Sequence, residues 1–189
     1  MTGPMLPDHL SSWTPVPPRT LDRRPRDLLG ELCTHLPPET VAGLCADLVV
    51  GGDPQPWLLP WLAGVPGAHY PAPGWDHFWP RVWGARGLLH VWSDAASGAV
   101  VTGVGDPAWR VAEMCLKVSA RRELPCGDAA ARLCAHDLPR VRATAARALG
   151  GCGDSEHLAA VHRLLEDPDP EVRSAAERAV ERLEQRLDL

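Results

Sequence analysis

The sequence predicts an all-α fold, an α-α superhelix with a helical cap on its N-terminal side. Three observations carry that reading. The stretch "DPDPEVRSAAERAV" at 167–180 nearly restates "DLPRVRATAARAL" at 137–149. Valines in the same setting recur at Val82, Val111, Val141 and Val172, at intervals of 29, 30 and 31 residues. A period of that size marks a stacked array rather than a single closed fold. Counting from Val172, apolar or small residues follow at Ala175, Ala176, Ala179, Val180 and Leu183, which is one stripe of an α-helix.

The elements follow in order. Residues 1–24 carry Pro4, Pro7, Pro15, Pro17 and Pro18 with little periodic apolar pattern, and read as a mobile Pro-rich arm in which Trp13 is the exception. Residues 25–74 read as the cap and a loop. "PRDLLGELCTHL" puts Leu28, Leu29, Leu32 and Cys33 on one helical face, and "PPETVAGLCADLVV" does the same with Val41, Leu44, Cys45 and Leu48. "PQPWLLPWLAGV" predicts a third short helix kinked at Pro60, and 66–74 predicts a loop from its Pro and Gly content.

Residues 75–189 read as the repeat stack. A long helix at about 76–92 opens it, and three short/long helix pairs fill 94–187. Offsets from Val141 give Thr144, Ala145, Ala148 and Leu149; from Val111 they give Met114, Cys115 and Val118, then break at Ser119. The first unit departs most, with Arg86 where Cys115, Ala145 and Ala176 stand in the others. A buried Arg there needs a partner, and Asp76, Glu113, Trp79 and Trp83 are the candidates; a rotated helix would expose it instead. Ala-rich stripes let neighbouring helices approach closely, so that the units bury one another.

Alternating short and long helices with "DPDPEVRSAAERAV" resemble HEAT repeats of the phycobilisome-lyase-like bacterial type, and the "WPRVW…GLL…W" segment is similar to one in small actinobacterial HEAT-repeat proteins. The family motif places an Asp before the second helix and an Arg just after its Val. Asp167, Val172 and Arg173 match it; Asp137, Val141 and Arg142 match with one residue fewer; at Asp106 and Val111 the Arg position holds Ala112. The resemblance covers 76–187 and implies a right-handed solenoid whose second helices line a concave side. It implies a fold more than a ligand, because one repeat architecture serves many partners.

Composition bounds the function. The chain has 189 residues, 45% hydrophobic and 23% charged, a globular balance. Its net charge of −5 weighs against nucleic acid as an obligatory partner. No apolar run reaches the roughly 20 residues of a membrane span, and "MTGPMLPDHLSSW" lacks a basic n-region and an apolar core, so a cytoplasmic location is expected. The six cysteines (33, 45, 115, 126, 134 and 152) form no CxxC pair and no zinc spacing. They read as reduced small hydrophobes, with no metal and no cofactor expected.

Two surfaces are candidates for binding. One is basic: residues 76–150 hold ten Arg and Lys against seven Asp and Glu, while both flanks are acidic. Arg110, Lys117, Arg140, Arg142 and Arg147 would line it. The other is aromatic: Tyr70, Trp75, Phe78, Trp79, Trp83 and Trp92 fall within 24 residues, and Trp57, Trp61 and Trp109 can join them. Trp79 and Trp83 are its candidate contacts, either as a recognition surface or as core. The leading expectation is a non-catalytic scaffold that binds a protein partner through an aromatic and basic concave surface. The alternative is a HEAT-like nucleic-acid-binding protein, DNA-glycosylase-like, with the Arg row on a phosphate backbone. For the basic row a plainer role also stands open, with Arg142 and Arg173 laddering to Asp137 and Asp167. An enzyme is not expected. HEAT-like hydroxylases bind iron through His-Glu dipeptides, and this chain has only the reversed Glu156-His157; no nucleophile motif or phosphate-binding loop is present.

Overall fold

The structure is a computed structural model that describes residues 16–188; Trp13 and the first fifteen residues of the predicted arm lie outside the described residues. Among the described residues there are eleven α-helices and no strand, so the chain is all-α as its periodicity predicts. The described residues divide into two compact units, with the boundary between Ala99 and Val100.

In the first unit, helix α1 (Pro25–Leu32) and helix α2 (Pro38–Val49) both start on a proline, which suits the first turn because its missing N–H would have had no partner there. Most of their predicted stripes are buried: Leu28, Leu29, Leu32, Val41 and Cys45 are fully enclosed, while Cys33 and Leu44 are half-buried. Helix α3 (Leu59–Ala63) differs from expectation. Pro60 lies in its first turn and starts the helix rather than kinking it. A single helical turn, α4 (Val65–Ala68), follows where Pro and Gly content predicted only loop. Trp61 is the largest fully buried side chain in this unit, and its indole N–H donates to the carbonyl of Val16 at 3.2 Å.

Helix α5 (Trp79–Gly87) is shorter than the predicted 76–92, because Pro80 sets its first turn and it closes at Leu88. It lies against α2 on a glycine face. A Cβ on Gly84 would stand 2.6 Å from the Cys45 carbonyl oxygen, and one on Gly87 would stand 2.7 Å from Cys45 Sγ. Neither position has room for a methyl group. Arg86 is partly exposed and takes none of its expected partners. It donates to the carbonyl of Leu62 at 2.8 Å, while its buried Nε finds no partner among the described residues. Burial lowers its pKa.

Helix α6 (Ser97–Gly103) contains the division between the units. The second unit continues with α7 (Trp109–Arg122), α8 (Gly127–Leu133), α9 (Pro139–Cys152), α10 (Leu158–Arg163) and α11 (Pro170–Leu187). The predicted short/long alternation is present, with α7 packed on α9 and α9 on α11. The reference valines Val111, Val141 and Val172 are all fully buried, as are the +4 residues Cys115, Ala145 and Ala176. Ser119, where the stripe breaks chemically, is buried all the same. Close approach is visible at Gly150, where a Cβ would lie 3.1 Å from the Cα of Ala179.

Each long helix of this unit is entered through the same turn. Asp106 Oδ1 accepts from the Ala108 N–H, His136 Nδ1 from the Leu138 N–H, and Asp167 Oδ1 from the Asp169 N–H, at 2.8, 3.0 and 2.9 Å. Each acceptor sits five residues before its valine. The turn residue of the middle repeat is therefore His136, not the neighbouring Asp137 that the motif suggested. No residue is missing there. The imidazole nitrogen does the work of a carboxylate oxygen, and Asp137 is exposed.

Candidate functional site

Trp79 and Trp83 come together in the first unit. Their rings stack at 6.0 Å, and Trp75 lies against both, with Tyr70 edge-on to Trp83 at 5.6 Å. Trp83 is 3% exposed and is part of the core, while Trp79 is partly exposed.

The basic candidates lie in the second unit, and they do not form one continuous row of unopposed charge. Arg110 and Arg140 both lie over the indole of Trp109, 4.2 and 5.1 Å from its centroid. Trp109 is partly exposed, so an aromatic plane with two guanidinium groups faces outward from the start of α7. Beneath them sits Glu113, only 4% exposed. Both of its oxygens accept from Arg140 Nη2, at 3.0 and 2.9 Å, and Lys117 reaches it one turn on at 2.8 Å. Two cations thus neutralise one buried carboxylate.

Arg142 has a different task. It donates from Nε and Nη2 to the two oxygens of Asp167, at 2.7 and 2.8 Å, which ties one repeat to the turn of the next. Its Nη1 donates to the carbonyls of His136 and Asp137. The Arg142 hydrogen bonds hold the Asp167 carboxyl below its ordinary range, and Asp167 in turn raises the pKa of Arg142. Arg173 repeats the second half of the pattern, donating to the carbonyls of Asp167 and Pro168. Arg147 pairs with Glu171 at 2.8 Å on the exposed surface. The expected Arg142 ladder therefore exists, but it runs to Asp167 and not to Asp137.

Sequence reasoning did not foresee Glu113 and Glu171 as the partners of this face. Glu113 stands next to the Ala112 that fills the motif's Arg position and breaks no pattern, whereas Glu171 stands where Arg81, Arg110 and Arg140 precede their valines, and that reversal of charge is the signal that could have found it. A group of possible metal ligands occurs at Asp128, Glu156 and His157, whose ligand atoms lie within 4.8 Å of one another. His157 is already engaged there. Its Nδ1 accepts from the Asp154 N–H, which leaves the proton on Nε2, 3.4 Å from Asp128. Both carboxylates are exposed.

Residues 127–188 match the family model for HEAT repeats. This part of the chain carries the HEAT-repeat pattern. The match covers the last two helix pairs, whose turns and Arg positions are the most regular. The chain is also similar to a crystallised engineered protein, with 18% identity and a TM-score of 0.46 over 84% of this chain and 78% of that one. No curated protein matches the sequence. HEAT repeats commonly serve as protein-binding scaffolds. No helix among the described residues is long and apolar enough to cross a membrane.

Proposed function

We propose that the chain is a non-catalytic scaffold whose partner is a protein, engaged through aromatic and basic side chains. In the HEAT-repeat unit the contact residues are Trp109, Arg110, Arg140, Lys117 and Arg147, with Arg142 positioning the turns beside them. In the first unit Trp79 is the contact residue and Trp83 its support.

One observation carries this reading over a nucleic-acid surface. Lys117 and Arg140 share Glu113, Arg142 faces Asp167, and Arg147 faces Glu171. A polyanion would have to displace a carboxylate at each of these four positions, and it would meet exposed Glu171 and Glu177 on the next long helix. A protein partner can use the same groups as they stand. A partly exposed Trp between two Arg is the composition that concentrates binding energy at protein interfaces.

Two measurements test it together. Duplex DNA titrated at about 150 mM salt, where screening acts within about 8 Å, is expected to show negligible binding. Chemical crosslinking in the native host is expected to capture a protein partner with the wild type and with Arg178→Ala, and to lose it with Trp109→Ala or Arg140→Glu. Tight duplex binding with a log–log salt slope near about −4, the value expected from five engaged cations, would overturn the proposal in favour of nucleic acid.

A further inference from the structure

Two of the six cysteines do not behave as isolated hydrophobes. Cys126 immediately precedes α8 and Cys152 ends α9. Twenty-six residues separate them in sequence, yet their Sγ atoms lie 3.3 Å apart. Both line a cleft of about 540 Å³ with Gly127, Arg132, Asp154 and His157. Cys126 is 3% exposed, and Cys152 is partly exposed. The arrangement is a buried thiol behind an accessible one, at a shared opening.

We propose that Cys126 and Cys152 form a peroxide-responsive dithiol, with Cys152 as the sulfur attacked first and Cys126 as the resolving thiol. The oxidant class is a small hydroperoxide, because the cleft presents only one partly exposed sulfur. Cys152 as thiolate attacks the peroxide oxygen and the O–O bond breaks. With hydrogen peroxide and one proton this yields Cys152 sulfenic acid and one water. The Cys126 sulfur then attacks Cys152 Sγ, the S–O bond breaks, and the Cys126 proton leaves with the hydroxyl as a second water. Two electrons pass from the two thiols to the peroxide, and a disulfide joins the start of α8 to the end of α9.

The surroundings favour this order. The contact with Cys126 holds the Cys152 thiol below its ordinary range, to about 6, with the charge of Arg186 adding to the effect. The same contact and burial push Cys126 up. Burial is the main cause that pushes Cys45, Cys115 and Cys134 up to about 12, which leaves them unreactive as thiols. Sequence spacing hides the pair, since only the folding of α9 back along α8 brings the sulfurs together.

The test uses the full chain, reduced and then treated with hydrogen peroxide. The expected product keeps four of its six thiols and yields a Cys126–Cys152 crosslinked peptide on digestion under non-reducing conditions. Closing a loop of this length also raises Tm by several degrees, reversed by dithiothreitol. Cys126→Ser is expected to stop at a Cys152 sulfenic acid, trapped by dimedone, and Cys152→Ser to react far more slowly. Retention of all six thiols, or oxidation first at Cys33 or between chains, overturns the proposal. So does unchanged peroxide consumption in Cys152→Ser. None of these readouts depends on the partner reading.

Discussion

The two seams of the second unit are closed by ion pairs that run in opposite directions. Between α9 and α11 the base comes first: Arg142, on the earlier helix, holds Asp167 of the following turn. Between α7 and α9 the acid comes first: Glu113, on the earlier helix, accepts from Arg140 on the later one. The difference has a readable origin. At the first seam the Arg position holds Ala112, and the turn residue it would have faced is His136. Both halves of the rung are absent together. An Arg facing an imidazole would gain nothing and would leave a charge half-buried, so the seam uses a pair displaced by one residue on α7 instead. Within this chain both seams are closed by an ion pair, though by different residues.

The sharpest way to break the second seam is to put a charge into its stripe. Ala176→Asp is expected to cost about 3 kcal/mol, because Ala176 is fully buried and the added carboxylate would lose its hydration. Arg178→Ala, on the exposed side of the same helix, is expected to cost below about 0.5 kcal/mol. Urea unfolding compares the two, and equal costs would mean the stripe is misplaced.

Next in size is the rung itself. Asp167→Asn is expected to cost about 2 kcal/mol at neutral pH, since it removes a bidentate partner from Arg142. The folded pKa of Asp167 lies below its unfolded value, so its contribution is complete above the unfolded pKa of about 4 and is lost as pH falls through the folded value. The stability gap between wild type and variant is therefore expected to be constant from pH 7 to about 5 and to close in more acidic solution. A gap that widens on acidification would contradict the pairing.

The first seam is expected to be more forgiving. Arg140→Ala should cost about 1 kcal/mol, because Arg140 is largely exposed and Lys117 remains on Glu113. The comparison can also be sharpened by rebuilding the missing rung. Ala112→Arg and His136→Asp, measured singly and together, are expected to show a favourable coupling of about 0.5–1 kcal/mol in a double-mutant cycle. Zero coupling would mean the first seam cannot accept the second seam's geometry. Arg147→Ala should fall below about 0.5 kcal/mol, since Arg147 and Glu171 are both well exposed.

How much of this was legible in the sequence depends on periodicity. The second unit could be read almost residue by residue, because Val, Ala and Ala return at fixed offsets and each return repeats the evidence. The first unit could be read only as helices. Its core rests on Trp61, Trp83 and the glycine face of α5, contacts that occur once and leave no period. Pro60 was misread because a proline opening a helix and a proline kinking one look alike until the helix start is known. His136 was misread for a related reason. The motif led to the nearest Asp, whereas the turn requires only an acceptor five residues before the valine. The candidate site divided along the same line. The cations were visible as a row, but most of their carboxylate contacts come from a neighbouring helix or turn (Glu113 for Arg140, Asp167 for Arg142, Glu171 for Arg147), and the Cys126–Cys152 contact follows from how the hairpin closes.

The second seam also says which part of the chain can be lengthened. The last repeat carries both halves of the rung, Asp167 at its turn and Arg173 after its valine. Set in tandem, two copies of it would meet as Arg173 of the first against Asp167 of the second, the same pairing that Arg142 now makes. The middle repeat lacks this property, because its Arg142 would meet the His136 of its own copy. The C-terminal repeat is thus the self-compatible module of the molecule, the one from which a longer array could be grown by duplication without inventing a new joint.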